Sequence, residues 1–188
     1  SQWTVTGGGA VVVTGPAAQQ PGQAGPWIQA AAIGTIEDKG IQDAANMGAA
    51  MAPAAAATIL GFLSDTGTTP EDYDLILTGD LGQVGSDLLY ELALREGVDL
   101  RPRHTDCGLL IYDRDRQDVH AGGSGCGCCA AVLCSYILPA IRAGRVKRVL
   151  FAATGALLSP TSTQQGESIP GIAHLICLTA QKEDLPWN

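Results

Sequence analysis

Basic side chains are scarce in this chain, and their scarcity limits the partners that it can bind. The 188 residues include 11 Lys and Arg against 19 Asp and Glu, which gives a formal net charge of −8. Nucleic acid binding needs clustered Lys and Arg to neutralise phosphates, whereas the basic residues here are scattered along the sequence. The charge balance therefore argues against nucleic acid as the main partner.

Long apolar runs are also missing. No apolar stretch reaches membrane-spanning length without a glycine or a charge, and the N-terminus lacks the charged-then-apolar pattern of a signal peptide. We therefore expect an intracellular protein with no membrane-spanning segment. Apolar residues make up 46% of the chain and charged residues 16%, which indicates a globular protein with a large core. The length fits one domain, or half of a larger one.

The six cysteines lack the spacing of a disulfide framework or of a paired zinc site. Cys126, Cys128, Cys129 and Cys134 lie within nine positions of a predicted loop and helix, and only Cys126 and Cys129 have a two-residue gap. We predict that the cysteines pack as small apolar residues in a reducing compartment. A metal site and a thiolate activated at a helix N-terminus stay open as alternatives.

What the sequence does contain is a glycine-rich stretch over residues 118–129 (DVHAGGSGCGCC). Its four glycines allow backbone conformations that other residues avoid, so the stretch is predicted to be a loop. Apolar residues recur at helical spacing over residues 130–141, and Arg142 and Gly144 indicate the end of that helix. The loop therefore leads into a helix N-terminus.

Such a junction attracts anions, because unpaired backbone N–H groups and the positive end of the helix dipole meet there. We predict that the amides of Gly122, Gly123 and Gly125, together with Ser124, form an anion-binding nest with His120 at its entrance. The alternative is a tight packing turn that carries a surface histidine. The loop matches neither a phosphate-binding Lys-Ser/Thr loop nor a dinucleotide-binding Gly-x-Gly-x-x-Gly motif.

Hydrophobic periodicity predicts the element order β, β, α, β, α, β, α, β, β. Strands are predicted over residues 10–14, 27–36, 73–78, 108–112, 148–153 and 171–179. Helices are predicted over residues 46–63, 86–95 and 130–141, with Pro53 near the first turn of the first and Ser86 or Asp87 at the cap of the second. This alternation predicts an α/β fold with a mostly parallel, mixed five-stranded sheet and helices on both faces.

The carboxyl edge of such a sheet is where ligands gather, because strands end and helices begin there. Asp80 follows the strand predicted over residues 73–78, and the His120 loop precedes a helix. The sequence therefore places both candidates at the same edge of the sheet.

Several long and uncommon strings resemble the stage V sporulation protein AD family, SpoVAD, and the resemblance runs from about Trp3 to Leu178. The strings are DAANMGAAMAP (residues 43–53), YDLILTGDLG (73–82), DCGLLIYD (106–113), QDVHAGGSGCGC (117–128) and RVLFAATGALLSPTSTQQGESIPGIAH (148–174).

The resemblance implies a thiolase-like fold, in which two similar βαβαβαββ halves stack in layers. This chain is similar to the carboxyl-terminal half. Residues 1–26 would be the end of the preceding half, with residues 10–14 as its last strand. Residues 27–180 would form the carboxyl-terminal domain, and residues 181–188 a polar tail.

The resemblance also implies a function in spore formation. Members of the family bind dipicolinic acid and help to load it into the developing spore. We therefore expect a non-enzymatic protein that lies peripheral to the spore inner membrane and works with other dipicolinate-uptake membrane proteins. We also expect a homo-oligomer, because a half-fold exposes apolar surface. An acyltransferase of the thiolase or ketoacyl synthase type is the alternative.

Two positions carry the implied site. The His120 loop is similar to the loop that supplies a catalytic His in thiolases and an Asn in ketoacyl synthases. At the strand end where ketoacyl synthases have a catalytic His, this chain has Gly79 and Asp80, which argues against decarboxylative condensation. The expected ligand-binding residues are His120, Gly122, Gly123, Ser124, Gly125 and Asp80, with no catalytic residue, no protein-held metal and no cofactor. Calcium carried with dipicolinate would let Asp80 approach a dicarboxylate.

Four further polar residues are also considered. His104 and Asp106 are expected to form either a polar pair or, more simply, part of a surface turn. Glu167, in a long loop, is a candidate for the pocket edge. His174, within a strand, is expected to be a hydrogen-bonded core residue.

Overall fold

A five-stranded mixed sheet forms the centre of the molecule. The computed structural model describes residues 2–18 and 25–183. The strands are β1 Trp3–Thr4, β2 Trp27–Ala32, β3 Leu75–Thr78, β4 His104–Asp106, β5 Gly123–Ser124, β6 Arg148–Ala156 and β7 Gly171–Thr179. The helices are α1 Met47–Thr66, α2 Gly82–Arg95, α3 Cys107–Leu110, α4 Cys128–Arg142 and α5 Pro160–Gln164, with 3-10 turns at Pro16–Ala18 and Pro70–Asp72.

The large sheet has the strand order β2-β7-β6-β3-β4. β3 runs parallel to β4 and β6, whereas β7 runs antiparallel to both β6 and β2. Four strands therefore share one direction and β7 opposes them. This arrangement confirms the predicted fold class, a mostly parallel five-stranded α/β sheet. β1 and β5 form a separate parallel pair beside the glycine-rich loop.

Helix α1 is the main helix on one face of the sheet. Its alanines allow a very close approach, so that a Cβ on Gly171 of β7 would lie 2.3 Å from the carbonyl oxygen of Ala50. The Thr58 hydroxyl donates to the carbonyl oxygen of Ala173 in β7 at 2.9 Å. α1 is long and apolar enough to cross a membrane by length and composition, but eleven of its residues are buried in the fold. Its apolar character therefore serves the core.

Two apolar clusters fill the two sides of the sheet. One joins α1 and α2 to the sheet through residues such as Ile59, Leu89 and Leu150. The other joins α4 to the opposite face through residues such as Val132, Ile137 and Phe151. Helices therefore cover both faces, as the alternating pattern predicts.

Helix α4 contains a π-helical turn over Leu133–Ile137. The amide of Leu138 donates to the carbonyl oxygen of Leu133, five residues earlier. This wider turn comes directly before Pro139, which has no N–H to continue the α-helical pattern. The helix ends at Arg142, and Gly144 follows with a φ of 69°.

Two predicted strands are absent from the described residues. Residues 10–14 form no strand, and Val12 and Val13 are 91% and 69% exposed, because no strand in the described chain lies beside them. Residues 108–112 were expected to be a strand, but α3 covers most of them and β4 comes just before. Asp106 ends the strand and accepts a hydrogen bond from the Gly108 amide, which starts the helix.

Several element boundaries also differ from expectation, by two or three residues at the end of α1, the start of β3, the end of β6 and the start of α4. α2 begins at Gly82 rather than near Ser86, so Ser86 and Asp87 lie inside the helix and cap nothing. β2 ends at Ala32, and Ile33 is 90% exposed. Pro53 is the seventh residue of α1, beyond its first turn. The predicted tail lies outside the described residues from position 184 onward.

Candidate functional site

The carboxyl ends of three neighbouring strands meet at one edge of the sheet. Thr78 at the end of β3 pairs in register with Asp106 of β4 and with Ala152 of β6. Asp80 follows two residues after β3, and the glycine-rich loop lies beside it. The topology therefore brings Asp80 and the loop together, as the sequence predicts.

Asp80 ties the loop to the sheet. One carboxylate oxygen accepts a hydrogen bond from the Gly125 amide at 2.9 Å, and the other accepts one from the Thr154 hydroxyl of β6, also at 2.9 Å. Burial raises the pKa of Asp80, and these two donors act against that rise. The carboxylate is thus an acceptor that fixes the loop.

Two backbone amides of the glycine-rich loop already donate hydrogen bonds to acceptors within the protein. The Gly122 amide donates to the carbonyl oxygen of Val119, and the Gly125 amide donates to Asp80. Gly122 and Gly125 have φ values of 109° and 104°, which side chains rarely tolerate. Two of the predicted nest donors therefore bind protein acceptors, and the glycines shape the backbone.

His120 lies at the surface of the loop. It is the one residue other than glycine with a positive φ in the described chain, at 50°. Its side chain is 54% exposed, and Nδ1 lies 3.4 Å from a carboxylate oxygen of Asp118. The imidazole is therefore accessible to a ligand, and the Asp118 carboxylate lies beside it.

The N-terminal segment covers the loop, a contact that the sequence did not reveal. The Gln2 side-chain amide donates to the carbonyl oxygens of Asp80 and Gly123 at 3.1 Å and 3.0 Å. The Trp3 amide donates to Gly122, and the Val5 amide to Ser124. Residues 2–5 thus act as a strap over the glycine loop. A two-residue strand is too short to give a periodic signal.

His104 and Asp106 are buried and hydrogen-bonded to the β3 end, so the surface-turn expectation was wrong. Their exposures are 8% and 0%. Thr78 donates to Asp106 at 2.6 Å, and the amides of Leu81 and Gly82 donate to the same carboxylate at 2.9 Å each. Burial raises the pKa of Asp106 to about 6 and lowers the pKa of His104 to about 4.

The other polar candidates lie outside this cluster. Glu167 is exposed, and its backbone amide donates to the carbonyl oxygen of Ser162. His174 is exposed rather than in the core, and its Nδ1 accepts a hydrogen bond from the Gly34 amide at 3.1 Å. Neither was brought to the Asp80 edge by a hydrogen bond among the described residues.

All six cysteines are free thiols, and three are buried. Burial raises the pKa of Cys128 to about 12 and also raises the pKa values of Cys107 and Cys129. Burial therefore opposes thiolate formation at Cys128 and Cys129, whereas Cys126 is exposed. Within residues 2–18 and 25–183, no three His, Cys, Asp or Glu side chains cluster closely enough to hold a metal ion.

Two of the concavities on the described surface lie beside the elements discussed above. The smaller, of about 250 Å³, lies beside the strap and is lined by Gln2, Asp43, Ala45, Asn46, Leu81, Val84 and Ala121. The larger, of about 570 Å³, is an apolar groove at the carboxyl end of α1. The smaller one includes Ala121 of the glycine-rich stretch, but none of the six predicted ligand-binding residues lines it.

Comparison with known proteins identifies the family. The family described as stage V sporulation protein AD (SpoVAD) matches residues 1–179. The chain belongs to the SpoVAD family. It is 52% identical over 171 residues to the stage V sporulation protein AD of Bacillus subtilis (strain 168). That match covers 91% of this chain and 48% of the relative, so the SpoVAD chain spans about half the length of this relative.

A solved structure has a weaker likeness to this SpoVAD chain. It is the 3-oxoacyl-[acyl-carrier-protein] synthase III from Aquifex aeolicus VF5, with 16% identity and a TM-score of 0.41. The match covers 71% of this chain and 39% of the synthase. A TM-score of 0.41 is too low to assign a role to this chain from that structure.

Family membership makes the chain a sporulation-stage protein.

Proposed function

We propose that this protein binds dipicolinic acid and supports its uptake into the developing spore, without catalysing a reaction. The observation that carries the proposal is membership in the SpoVAD family, established over residues 1–179. It would act in the forespore, peripheral to the inner membrane, with the membrane proteins of dipicolinate uptake and as a homo-oligomer.

The geometry of the Asp80 edge supports binding over chemistry. The Asp80 carboxylate accepts hydrogen bonds from Gly125 and Thr154, so it holds the loop in place. The pKa of His104 is lowered by burial, and the buried thiols have raised pKa values. Burial therefore holds these thiols and His104 uncharged, which disfavours nucleophilic attack by the buried thiols.

His120 and the Ser124 hydroxyl are the groups that we assign to contact with the ligand. His120 is exposed at the loop, and its imidazole is able to donate to a carboxylate. Gly122, Gly123 and Gly125 would contribute by holding the loop backbone close to the ligand. Asp80 would repel a dicarboxylate directly, so its role with ligand is to fix Gly125 or to share a calcium ion carried with dipicolinate.

Isothermal titration of the full-length protein with dipicolinate, with and without calcium, tests this proposal. We expect binding, and we expect His120→Ala to weaken it by about tenfold, as loss of one charge-assisted hydrogen bond does. His174→Ala is the matched control, because His174 is also exposed but hydrogen-bonds to Gly34 away from the loop. Absence of binding heat, or equal effects of the two substitutions, would contradict the assignment.

A further inference from the structure

Four side chains form a continuous chain of hydrogen bonds beneath the candidate site. Tyr90 Oη lies 2.9 Å from His104 Nδ1, and His104 Nε2 lies 2.9 Å from the Thr78 hydroxyl. The Thr78 hydroxyl lies 2.6 Å from a carboxylate oxygen of Asp106. Tyr90 is half-buried, whereas Thr78 and Asp106 have no exposed surface. The chain therefore runs from near the surface to a buried carboxylate.

The ionisation of Asp106 fixes the direction of every bond in this chain. A carboxylate only accepts, so the single Thr78 hydroxyl proton points to Asp106. Thr78 must then accept from His104, whose proton is on Nε2. Nδ1 of the neutral ring is left as an acceptor for the Tyr90 hydroxyl. All three donors point toward Asp106.

Asp106 also anchors both parts of the candidate site. The amides of Leu81 and Gly82, directly after Asp80, donate to it at 2.9 Å, and so does the amide of Gly108. The first turn of α3 packs against the loop so tightly that a Cβ on Gly108 would lie 2.2 Å from the carbonyl oxygen of Gly123. A change at Asp106 therefore reaches the Asp80 turn and the glycine loop together.

We propose that the Tyr90–His104–Thr78–Asp106 chain is a proton relay, and that Asp106 is a positioning residue whose protonation loosens the Asp80 turn and the glycine loop. On proton uptake, Asp106 takes the Thr78 proton and Thr78 takes the Nε2 proton of His104. His104 takes the Tyr90 proton on Nδ1, and Tyr90 is reprotonated from water. One proton enters, His104 stays neutral with its tautomer exchanged, and no heavy atom has to move.

The surroundings favour a neutral His104 and a titratable Asp106. Burial holds the pKa of His104 at about 4 and raises the pKa of Asp106 to about 6. Asp80 faces Asp106 and raises its pKa further. The negative charge of Asp106 in turn raises the pKa values of the Cys107, Cys128 and Cys129 thiols. Around Tyr90 the charged neighbours are Asp87, Asp99 and Arg101.

Nitrogen NMR of ¹⁵N-histidine-labelled protein tests the relay without any ligand. We expect His104 to be the neutral Nε2–H tautomer at pH 7.5 and to change to neutral Nδ1–H as the pH falls through about 6. In the same interval the amides of Leu81, Gly82 and Gly108 should lose about tenfold in protection against exchange, relative to the intrinsic exchange rate at each pH, because their acceptor loses its charge. One unchanged tautomer from pH 5 to 8, or a positively charged His104 at pH 6, would overturn the relay.

Two substitutions at Thr78 separate a relay from simple packing. Thr78→Val keeps the side-chain shape but removes the hydroxyl, so the tautomer change of His104 should disappear. Thr78→Ser keeps the hydroxyl and should retain the tautomer change of His104. If Thr78→Val does not fold, the NMR titration of His104 in the unsubstituted protein still decides whether the relay exists. A tautomer change that persists in Thr78→Val would also overturn the relay.

The effect on ligand rests on the proposed function. Dipicolinate affinity should depend on pH between 5.5 and 7.5 in the unsubstituted protein and in Thr78→Ser. In Thr78→Val this dependence should move to higher pH, because Asp106 loses a donor that lowers its pKa. Equal pH dependence in all three proteins overturns the positioning role. Absence of dipicolinate binding at every pH overturns the proposed function and this coupling, whereas the relay is then decided by the ligand-free NMR.

Discussion

At the scale of single residues, the environment determines the behaviour of the three histidines. His104 is buried among hydrogen-bond partners, His120 is exposed with Asp118 beside its ring, and His174 accepts from a backbone amide. The sequence placed His120 in an accessible loop. It did not reveal the burial of His104, because the Tyr90 and Thr78 partners are 14 and 26 positions away.

Replacement of His104 should change how stability depends on pH. The folded pKa of about 4 lies below the ordinary value of 6.5, so the unfolded chain binds the proton more tightly between these values. The histidine therefore lowers the free energy of unfolding as pH falls from 6.5 to 4. The His104→Gln protein lacks this pH-dependent loss of stability, because glutamine does not titrate. The destabilisation caused by the substitution should therefore be smallest near pH 4 and grow by about 3 kcal/mol toward pH 6.5.

Urea unfolding of both proteins across this pH range measures that difference. His174→Gln serves as the control, since His174 is an exposed histidine on β7. A destabilisation by His104→Gln that does not vary with pH would show that the buried ring is not held neutral.

At the scale of elements, the ends of α2 illustrate what periodicity detects and what it misses. The apolar repeat predicts the body of the helix and its end, and Gly97 follows that end with a φ of 80°. The start was placed near Ser86, four residues late, because Gly82–Gly85 carries little apolar signal. Its true start depends on Asp106, which accepts from the amides of Leu81 and Gly82.

Alanine substitution at the two ends of α2 should have unequal costs. Gly82 and Gly97 have φ values of 63° and 80°, so either substitution imposes backbone strain of about 1–2 kcal/mol. A Cβ at Gly82 would also lie 2.6 Å from the carbonyl oxygen of Ala121, whereas a Cβ at Gly97 meets nothing within 4 Å. We therefore expect Gly82→Ala to cost about 1–3 kcal/mol more.

Chemical denaturation of the two variants is the measurement. Gly97→Ala is the matched control, because it shares the strain and lacks the contact with the loop. Equal losses in the two variants would mean that the Ala121 loop moves aside freely.

The error at β4 and α3 has a related physical cause. Residues 108–112 have the apolar composition of a buried strand, and composition does not distinguish a short strand from a short buried helix. The decision is made by Asp106, whose side chain accepts from the Gly108 amide and starts a helix. β7, a longer segment with a stronger pattern, was predicted with its observed bounds.

At the scale of the whole molecule, apolar surface is concentrated in segments without a neighbour. Val12 and Ile33 are about nine-tenths exposed, at 91% and 90%, and Val13 is 69% exposed. Large exposed apolar side chains favour association. The expected homo-oligomer stays a prediction, and these side chains are where we expect it to form.

Sedimentation velocity over a range of concentrations tests this expectation. Burial of a valine contributes about 1.5–3 kcal/mol, so Val12→Asp should raise the dissociation constant by about tenfold or more. Leu94→Asp is the control, because Leu94 is 51% exposed but lies near the end of α2. A monomer at every concentration for the unsubstituted chain would contradict the prediction.

The π-helical turn in α4 has a consequence for how the chain tolerates changes in length. A turn with one extra residue rotates everything beyond it by about 100° relative to a regular α-helix. Cys128 and Val132 before the turn, Ile137 at its last position and Ile141 after it are all buried, so the wider turn brings both halves of the helix to face the core. Loss of one residue there would swing Tyr136 and its neighbours around the axis while the half that follows the glycine loop kept its orientation. The turn thus sets the rotation of the carboxyl-terminal half of the helix relative to the half that follows the glycine loop.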